Sequence, residues 1–294
     1  MTIIDSHSHL WLRQDTVVDG HHIYPMGRGR AMFFGEERQM LPPFMTDGTN
    51  TAEVFLANMD YAQVGGAVVV QEVIDGCQDE YLLDVQSRYP DRFFCCALKD
   101  IDNGPLTVPD GFRGVAVPGH RAHRALVSDE MMAFWKSLEK SGVILSMCLA
   151  DDSRQIAQMR EVIEECPGLK IAIGHFGMVT GEHWMEQIRL AHAPNVYVES
   201  GGITWLFNSE FYPFKGAVRA IREAADEVGM DKLMWGSDYP RTICAITYRM
   251  SYDFVLKSDL LSDAEKSAFL GENAVKFYGF RNLPDLPYIK NMSE

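Results

Sequence analysis

Residues 1–12 read MTIIDSHSHLWL. The segment Thr2–Ile4 is apolar enough for a short buried strand, and Asp5, His7 and His9 follow it at alternating positions. Side chains two residues apart on a strand point to the same face. A strand that enters a hydrophobic core therefore ends in two imidazoles on one side, which indicates that this end of the strand opens into a pocket.

Further short apolar runs along the chain predict buried strands, and most are continuous rather than alternating in polarity. Continuous runs are typical of strands covered on both faces, as in a parallel sheet. Together with Thr2–Ile4, the predicted strands are Gly65–Val73, Arg92–Asp100, Phe112–His120, Val143–Asp152, Leu169–Gly177, Asn195–Gly202 and Lys232–Pro240. Helical spacing of apolar residues predicts helices at Ala52–Gln63, Asp79–Tyr89, Asp129–Ser141, Ser153–Glu165, Glu182–Ala191, Phe214–Val228, Ala245–Lys257 and Asp263–Phe277.

This alternation predicts a closed (β/α)8 TIM barrel that forms one domain over residues 1–294. A doubly wound open sheet is the alternative. In a barrel the C-terminal strand ends meet on one rim, where active sites lie, whereas an open sheet would not bring the first and eighth strands together. The polar residues at the predicted strand ends are His7, His9, Gln71, Glu72, Lys99, His120, His175, Glu199 and Asp238.

Residues 11–50 fall outside the repeat and are rich in glycine, proline, methionine and aromatic residues. Loops of this length are usually functional or disordered, and the aromatic content argues against disorder. Since the segment leaves from a C-terminal strand end, we expect a lid or pocket wall over the barrel mouth. A contact in a homo-oligomer is the alternative, and residues 281–294 are predicted to be a C-terminal tail.

The composition is globular and acidic, with 47% hydrophobic residues and a net charge of −14. Such a charge disfavours binding to nucleic acid or to an anionic membrane. No apolar run approaches the roughly 20 residues of a membrane span, and the N-terminus lacks the pattern of a signal peptide. The six cysteines include no CxxC pair and read as reduced thiols. We therefore expect a cytoplasmic protein that acts on a small molecule.

The strand-end residues form a set that is more informative than its members. Paired imidazoles such as His7 and His9 suit a divalent metal or a polar catalytic pocket. A carboxylate such as Asp238, at the mouth of a buried strand, is costly unless it is paired or ligating. Closure of the barrel would place Asp238 beside the two histidines, and His175 would lie on the same rim.

The combination of three motifs resembles the amidohydrolase superfamily, and within it the amidohydrolase-2 branch. The motifs are DSHSHL (5–10), IGHFG (173–177) and GSDYPR (236–241), at the ends of the first, sixth and eighth predicted strands. The resemblance covers about residues 1–280. The branch includes sugar-acid lactonases, a pyrone-dicarboxylate lactonase, and metal-dependent decarboxylases and hydratases.

The resemblance implies roles for four residues. His7 and His9 match the histidine pair of the first strand, and His175 matches a histidine that polarises a carbonyl or handles a proton. Asp238 matches the aspartate that carries a proton and activates water. His7, His9 and Asp238 would hold one divalent metal ion, with zinc as the first expectation. Some lactonases of the branch work without a metal, so metal-independent action stays open.

The chain departs from the metal-dependent decarboxylases of the branch at two strand ends. Those enzymes carry a histidine at the end of the fifth strand, where this chain has Met147 and Cys148. Cys148 as a substitute ligand is an alternative. The fourth strand offers His120 and no lysine that could be carbamylated. The departures leave the metal set with three obvious ligands, which is enough for a catalytic zinc.

Basic residues near the predicted mouth indicate a small anionic substrate, because arginine binds carboxylates with two parallel hydrogen bonds. Arg241 closely follows Asp238, and Arg121 and Arg124 follow the fourth strand. The expected substrate contacts are Gln71, His120, Arg121, Glu199, Tyr239 and Arg241.

The leading functional hypothesis is a hydrolase that opens a carboxylate-bearing lactone or similar cyclic ester. Asp238 would act as general base toward water, with His175 as the second catalytic residue. The alternative is a metal-dependent non-oxidative decarboxylase or hydratase of an unsaturated or aromatic acid. A non-catalytic binding protein is a third reading, and it would require a broken site.

Overall fold

The computed structural model describes residues 1–292, and residues 293 and 294 of the predicted tail lie outside the described part. Within residues 1–292, eight parallel strands form one sheet in chain order. They are β1 (Ile4–Ser8), β2 (Gly66–Val69), β3 (Phe93–Leu98), β4 (Gly114–Val117), β5 (Ile144–Met147), β6 (Ile171–Ile173), β7 (Val196–Glu199) and β8 (Leu233–Met234). This sequential order is that of a (β/α)8 barrel.

The barrel closes between β1 and the segment that follows β8. The main-chain N–H of Asp238 donates to the carbonyl oxygen of His7 (2.9 Å), and that of His9 donates to the carbonyl of Tyr239 (2.8 Å). The closure confirms the predicted barrel and excludes the open sheet. It also places the segment that carries Asp238 directly against the segment that carries both histidines.

The helices lie between the strands at positions close to those predicted. They are α1 (Ala52–Tyr61), α2 (Asp79–Arg88), α3 (Asp129–Ser141), α4 (Ser153–Glu165), α5 (Trp184–Ile188), α6 (Ile203–Leu206), α7 (Lys215–Val228), α8 (Met250–Leu256), α9 (Asp263–Ser267) and α10 (Asn273–Tyr278). The long helix predicted at Asp263–Phe277 is instead α9 and α10 joined by a π-helical segment, Ala268–Glu272. Among the helices of residues 1–292, none is long and apolar enough to cross a membrane.

The two ends of the barrel differ in polarity. One buried cluster brings Ile4, Val68 and Phe94 from the strands together with Phe277 and Tyr278 from α10. Through these contacts α10 covers the N-terminal end of the barrel with apolar side chains. A larger core fills the space between strands and helices. The polar strand ends therefore gather at the opposite, C-terminal end.

The insertion over residues 11–50 carries secondary structure that the sequence did not reveal. Its segments Thr16–Val18, His21–Gly27, Arg30–Phe33 and Glu36–Gln39 pair as an antiparallel sheet. Trp11 and Asn50 exchange two main-chain hydrogen bonds of 2.9 Å, so the insertion leaves and rejoins the barrel at one point. It thus stands at the C-terminal end of the barrel, where a pocket wall was predicted.

Candidate active site

A cavity of about 590 Å³ opens at the C-terminal end of the barrel. His9, His175 and Asp238 line it, and His7 lies buried beside them with its ring 4.5 Å from that of His175. The insertion contributes Phe33 to the wall. Other wall residues include Met40, Glu72, His120, Arg121, Cys148, Met178, Trp205 and Arg241.

Three side-chain atoms that can ligate a metal ion lie close together beside this cavity. Two belong to histidines where β1 ends, and one belongs to Asp238 in the segment after β8. His9 Nε2 lies 3.0 Å from Asp238 Oδ1 and 3.2 Å from His7 Nε2. His7 Nε2 lies 3.8 Å from Asp238 Oδ1. Ligands of a tetrahedral zinc with bonds of about 2.0–2.1 Å are about 3.3 Å apart. The three separations therefore match one face of such a tetrahedron.

Glu199, at the end of β7, fixes the orientation of His7. Its Oε1 lies 2.8 Å from His7 Nδ1, and a carboxylate can only accept, so Nδ1 carries the proton. The lone pair of Nε2 then points toward His9 and Asp238, where a cation would be bound. A carboxylate behind a histidine is the usual support of a metal ligand.

Two glycines make room for this contact. A Cβ added to Gly236 would lie 2.7 Å from His7 Cβ and 2.8 Å from Glu199 Oε2. A Cβ added to Gly201 would lie 2.7 Å from His7 Cγ. All three distances are too short for real atoms, so any larger residue would push His7 and Glu199 apart.

The charges of the site also favour a cation. Burial opposes protonation of His7, but the Glu199 carboxylate, and after it Asp238, raise the pKa of that imidazole. Buried carboxylates are costly without a compensating positive charge. A protonated His7 or a bound divalent ion can supply that positive charge. The spacing of the three ligand atoms, when they carry no proton, fits the ion.

His9 is held as a neutral imidazole. Burial, followed by the nearby Arg241 guanidinium, lowers its pKa to about 4. Within the described residues its Nδ1 has no hydrogen-bond partner, and Asp75 Oδ2 is 3.6 Å away. A neutral histidine is the form that ligates a metal, so both the charge and the geometry of His9 suit that role.

Asp238 is held in its ionised form. Burial works against the charge, but the hydrogen bond from His9 and the Arg241 charge keep its pKa well below the usual range. Its Oδ2 accepts a hydrogen bond from Trp205 Nε1 at 2.9 Å. The residue has φ +60°, in the left-handed region that non-glycine residues seldom adopt. This backbone turns Asp238 into the cavity.

His175 presents one ring nitrogen to the cavity. Its Nδ1 lies 2.8 Å from the carbonyl oxygen of Gly201, which can only accept, so Nδ1 carries the proton. In the neutral ring Nε2 is then an acceptor. Like Asp238, His175 has a positive φ, of +53°. Its main-chain N–H donates to Glu199 Oε1 (3.1 Å), so one carboxylate orients both His7 and His175.

Three residues predicted to contact substrate do not line this cavity. The side-chain amide of Gln71 forms hydrogen bonds with Asp79 Oδ1 (2.7 Å) and with main-chain groups. These hydrogen bonds hold the loop after β2. Glu199 is fully buried behind His7. Tyr239 points into the outer core, where its ring stacks on Phe55 at 4.0 Å. His120, Arg121 and Arg241 do line the cavity.

Asp75 is a site residue that sequence reasoning missed. It is buried, and both of its oxygens lie 2.7 Å from Arg241 Nη2. It also faces His9 at 3.6 Å. The sequence signal for Asp75 was an acidic residue directly after two apolar ones, in the stretch VID. Because Asp75 lies beyond the end of a predicted strand, the direction of its side chain could not be predicted.

Asp5 precedes the histidines but braces the barrel closure instead of facing the cavity. Its carboxylate accepts hydrogen bonds from Ser237 Oγ (2.5 Å), Ser237 N (2.8 Å) and Tyr248 OH (2.8 Å). Burial nevertheless raises its pKa to about 6. Asp5 therefore connects β1 to the segment that carries Asp238.

Removal of the Tyr248 hydroxyl should weaken this brace. We expect Tyr248→Phe to lower the free energy of unfolding by about 1.5–3 kcal/mol, the range for a hydrogen bond to a charged group. Denaturant titration measures the effect. Tyr278→Phe is the control, because the buried Tyr278 hydroxyl has no hydrogen-bond partner within residues 1–292. Equal losses in the two variants would contradict the bracing role of Tyr248.

Comparison with known proteins identifies the family. The amidohydrolase family model matches residues 4–280. The chain belongs to the amidohydrolase family. This membership makes the protein an enzyme and confirms the resemblance carried by the three motifs. A comparison of the sequence with curated proteins found no match.

Solved structures share the fold at low sequence identity. A probable 2-pyrone-4,6-dicarboxylic acid hydrolase from Acinetobacter baumannii, with citric acid bound, has a TM-score of 0.69 and 18% identity, over 95% of this chain and 100% of that one. A zinc-bound amidohydrolase from Burkholderia multivorans has a TM-score of 0.69 and 17% identity, over 96% of this chain and 100% of that one. A manganese-bound 5-carboxyvanillate decarboxylase from Novosphingobium aromaticivorans has a TM-score of 0.54 and 17% identity, over 78% of this chain and 80% of that one. The fold therefore hosts both hydrolases and decarboxylases.

The support that Glu199 gives to His7 leads to a prediction on metal affinity. We expect Glu199→Gln to weaken zinc binding by about 10- to 100-fold, the usual effect of losing a group that orients a ligand. Titration of metal-free protein with zinc measures the change. Glu161→Gln, on the exposed face of α4, is the control and should bind zinc as the unaltered protein does.

Proposed function

We propose that this amidohydrolase opens a carboxylate-bearing lactone or similar cyclic ester, with one divalent metal ion, preferably zinc, held by His7, His9 and Asp238. The observation that carries the proposal is the convergence of His7 Nε2, His9 Nε2 and Asp238 Oδ1 within 3.0–3.8 Å at a cavity lined by arginines. Nitrogen ligands favour zinc over magnesium or calcium.

A bound divalent ion would supply Lewis acidity to the carbonyl and to water. Asp238, which stays ionised, accepts a proton from the water whose oxygen attacks the lactone carbonyl carbon. His175 Nε2, an acceptor in the neutral ring, orients that water. As the bond between the carbonyl carbon and the ring oxygen breaks, Asp238 returns the proton to the leaving alkoxide. The product is a hydroxy acid, which releases one proton at neutral pH.

Two guanidinium groups can bind the carboxylate of the substrate. Arg121 donates through Nε to Glu72 (3.1 Å), which leaves its terminal nitrogens for a ligand. Arg241 Nη2 is paired with Asp75, and Nη1 lies 3.8 Å from Asp238 Oδ1 without a hydrogen bond to any group within residues 1–292. A buried donor without a partner is costly, so a substrate oxygen at Arg241 Nη1 would satisfy it.

Arg121→Gln tests the anionic substrate. We expect KM to rise by about 10- to 100-fold while kcat changes little, because a charged hydrogen bond away from the reacting carbon is equal in ground and transition states. Steady-state kinetics on the best lactone measures both constants. Arg124→Gln is the control, because Arg124 pairs with Glu130 (3.2 Å) and does not line this cavity.

Decarboxylation is the rival reaction within the fold. The end of β5 carries Cys148, which lines the cavity where the decarboxylases of the branch are expected to have a histidine. Burial raises the pKa of that thiol well above its usual value, so Cys148 is a poor replacement for a ligand. This difference favours hydrolysis over loss of CO2.

A screen of carboxylate-bearing lactones, read with a pH indicator, tests the proposed function. The panel should contain sugar-acid lactones and a pyrone dicarboxylate, each offered to zinc-loaded protein. We expect at least one lactone to release protons at a rate that depends on enzyme concentration. Release of CO2 from aromatic acids, together with no proton release from any lactone, would contradict the hydrolase and support the decarboxylase.

A further inference from the structure

A second cavity, of about 730 Å³, lies beside the active site. It is formed by the first strand of the insertion sheet and by the loops after β2, β3 and β4. Lys99 and Arg121 line it, and Arg121 also lines the active-site cavity. The two cavities are therefore neighbours that share one guanidinium group.

Lys99 follows β3 directly and is the unusual feature of this cavity. The residue is 6% exposed, although lysine is seldom buried without a partner. Its ammonium forms no hydrogen bond or ion pair with other residues of the described chain. Its charge does act on the Cys77 thiol, whose pKa it lowers against the larger effect of burial. The ammonium meets the cavity without a counter-ion, and such a charge on a largely buried side chain favours a ligand that carries negative charge.

Two of the carboxylates that line the cavity accept hydrogen bonds from main-chain N–H groups. Asp100 accepts hydrogen bonds from the main-chain N–H groups of Asp102 (3.0 Å) and Asn103 (3.1 Å). Asp102 accepts from the N–H groups of His123 (2.8 Å) and Arg124 (2.9 Å). These acids brace the loops after β3 and β4. Asp19, on the rim, has a side chain that is 60% exposed, where water screens its charge.

The remaining lining is partly apolar. Val73, Ile101 and Pro118 face the cavity from three loops. Arg121 is positioned from the other side, with its guanidinium carbon 5.6 Å from the centre of the Phe34 ring. The cavity thus joins apolar surface to three cationic groups, Lys99, Arg121 and Arg124, of which the two arginines are paired with Glu72 and Glu130 and Lys99 has no counter-ion.

We propose that this second cavity binds a small organic anion. Its carboxylate or phosphate group contacts the Lys99 ammonium and the Arg121 guanidinium, and its apolar part packs on Val73, Ile101 and Pro118. The site is distinct from the proposed metal ligands His7, His9 and Asp238, which we call the metal-ligand cluster, and it does not depend on which reaction the enzyme catalyses.

Calorimetric titration of the whole zinc-loaded protein with benzoate and with phenyl phosphate tests the site. We expect Lys99→Met to weaken the binding of at least one probe by about tenfold or more, as expected for a lost charged hydrogen bond. Lys99→Arg should restore most of the affinity. Lys140→Met, on an exposed position of α3, should bind like the unaltered protein. The two probes separate the carboxylate from the phosphate form of the ligand.

A second variant keeps the test valid if Lys99→Met does not fold. Val17 is 66% exposed and lines the cavity, so Val17→Asp adds a negative charge without burying it. We expect it to weaken binding by like-charge repulsion. Unchanged affinity for both probes in folded Lys99→Met, or in Val17→Asp where Lys99→Met does not fold, would overturn the proposal. Affinity lost in folded Lys99→Met, or in Val17→Asp where Lys99→Met does not fold, and kept in Lys140→Met would support it.

Discussion

An Asp238→Asn variant should fold normally and lose about a hundredfold to ten-thousandfold of kcat/KM on the lactone substrate, because general acid–base steps contribute about 10²–10⁴ in rate. The change also removes a charged oxygen from the metal-ligand cluster. Asparagine keeps the size of the side chain and one oxygen, which can still accept the hydrogen bond from Trp205 Nε1. The loss should therefore be chemical and not structural.

Kinetics at saturating zinc, with the Tm measured in parallel, check this expectation. Asp259→Asn is the matched control, since Asp259 is exposed between α8 and α9. It removes the same charge from the protein and should leave the rate unchanged. Near-normal turnover in folded Asp238→Asn would remove Asp238 from the mechanism and leave the base unassigned.

His9→Ala should abolish tight metal binding. Four-ligand zinc sites bind with about 10–16 kcal/mol, or about 3 kcal/mol for each ligand, so loss of one ligand costs about a hundredfold or more in affinity. His9 has a lowered pKa of about 4, so at neutral pH the imidazole is uncharged and only one of its two ring nitrogens carries a proton. Activity should fall together with zinc content.

Zinc titration of metal-free protein, followed by assay of the loaded protein, measures this effect. His120→Ala is the matched control, because His120 lines the same cavity but lies outside the convergent set. Burial and the adjacent Arg121 lower its pKa to about 3, so it too is neutral. Equal zinc loss in both variants would show that the metal lies elsewhere in the cavity.

The strand ends made the central part of the site predictable from sequence. His7 and His9 share a face because they are two residues apart where β1 ends, and Asp238 reaches them because the barrel closes. Both inferences need only strand periodicity and the sequential order of strands. The structure adds the distances, which suit a metal ion shared by the three residues.

Side-chain direction after a strand end was not predictable. Tyr239 follows Asp238 directly yet points into the outer core, because Asp238 itself adopts a left-handed φ. Glu199 was expected to touch substrate, but glycines at 201 and 236 allow it to be buried behind His7. Such roles depend on contacts between residues far apart in the chain.

The insertion was predictable in place but not in form. Its aromatic content and its exit from β1 indicated a pocket wall, and Phe33 and Met40 do line the cavity. Its antiparallel pairing was hidden because the strands are short, partly exposed and lack a clear alternation. Asp75 was missed for a related reason, since its role follows from contacts with Arg241 and His9.

The identity of the product tests the central claim most directly. Zinc-loaded protein should be incubated with the best lactone of the panel, labelled with 13C at its carboxyl carbons, and the mixture followed by 13C NMR. Hydrolysis at the metal-ligand cluster predicts a ring-opened acid that keeps every labelled carbon, formed by the zinc-loaded protein and not by zinc-loaded Asp238→Asn. Appearance of labelled CO2 or bicarbonate, or equal ring opening by the variant, would contradict it.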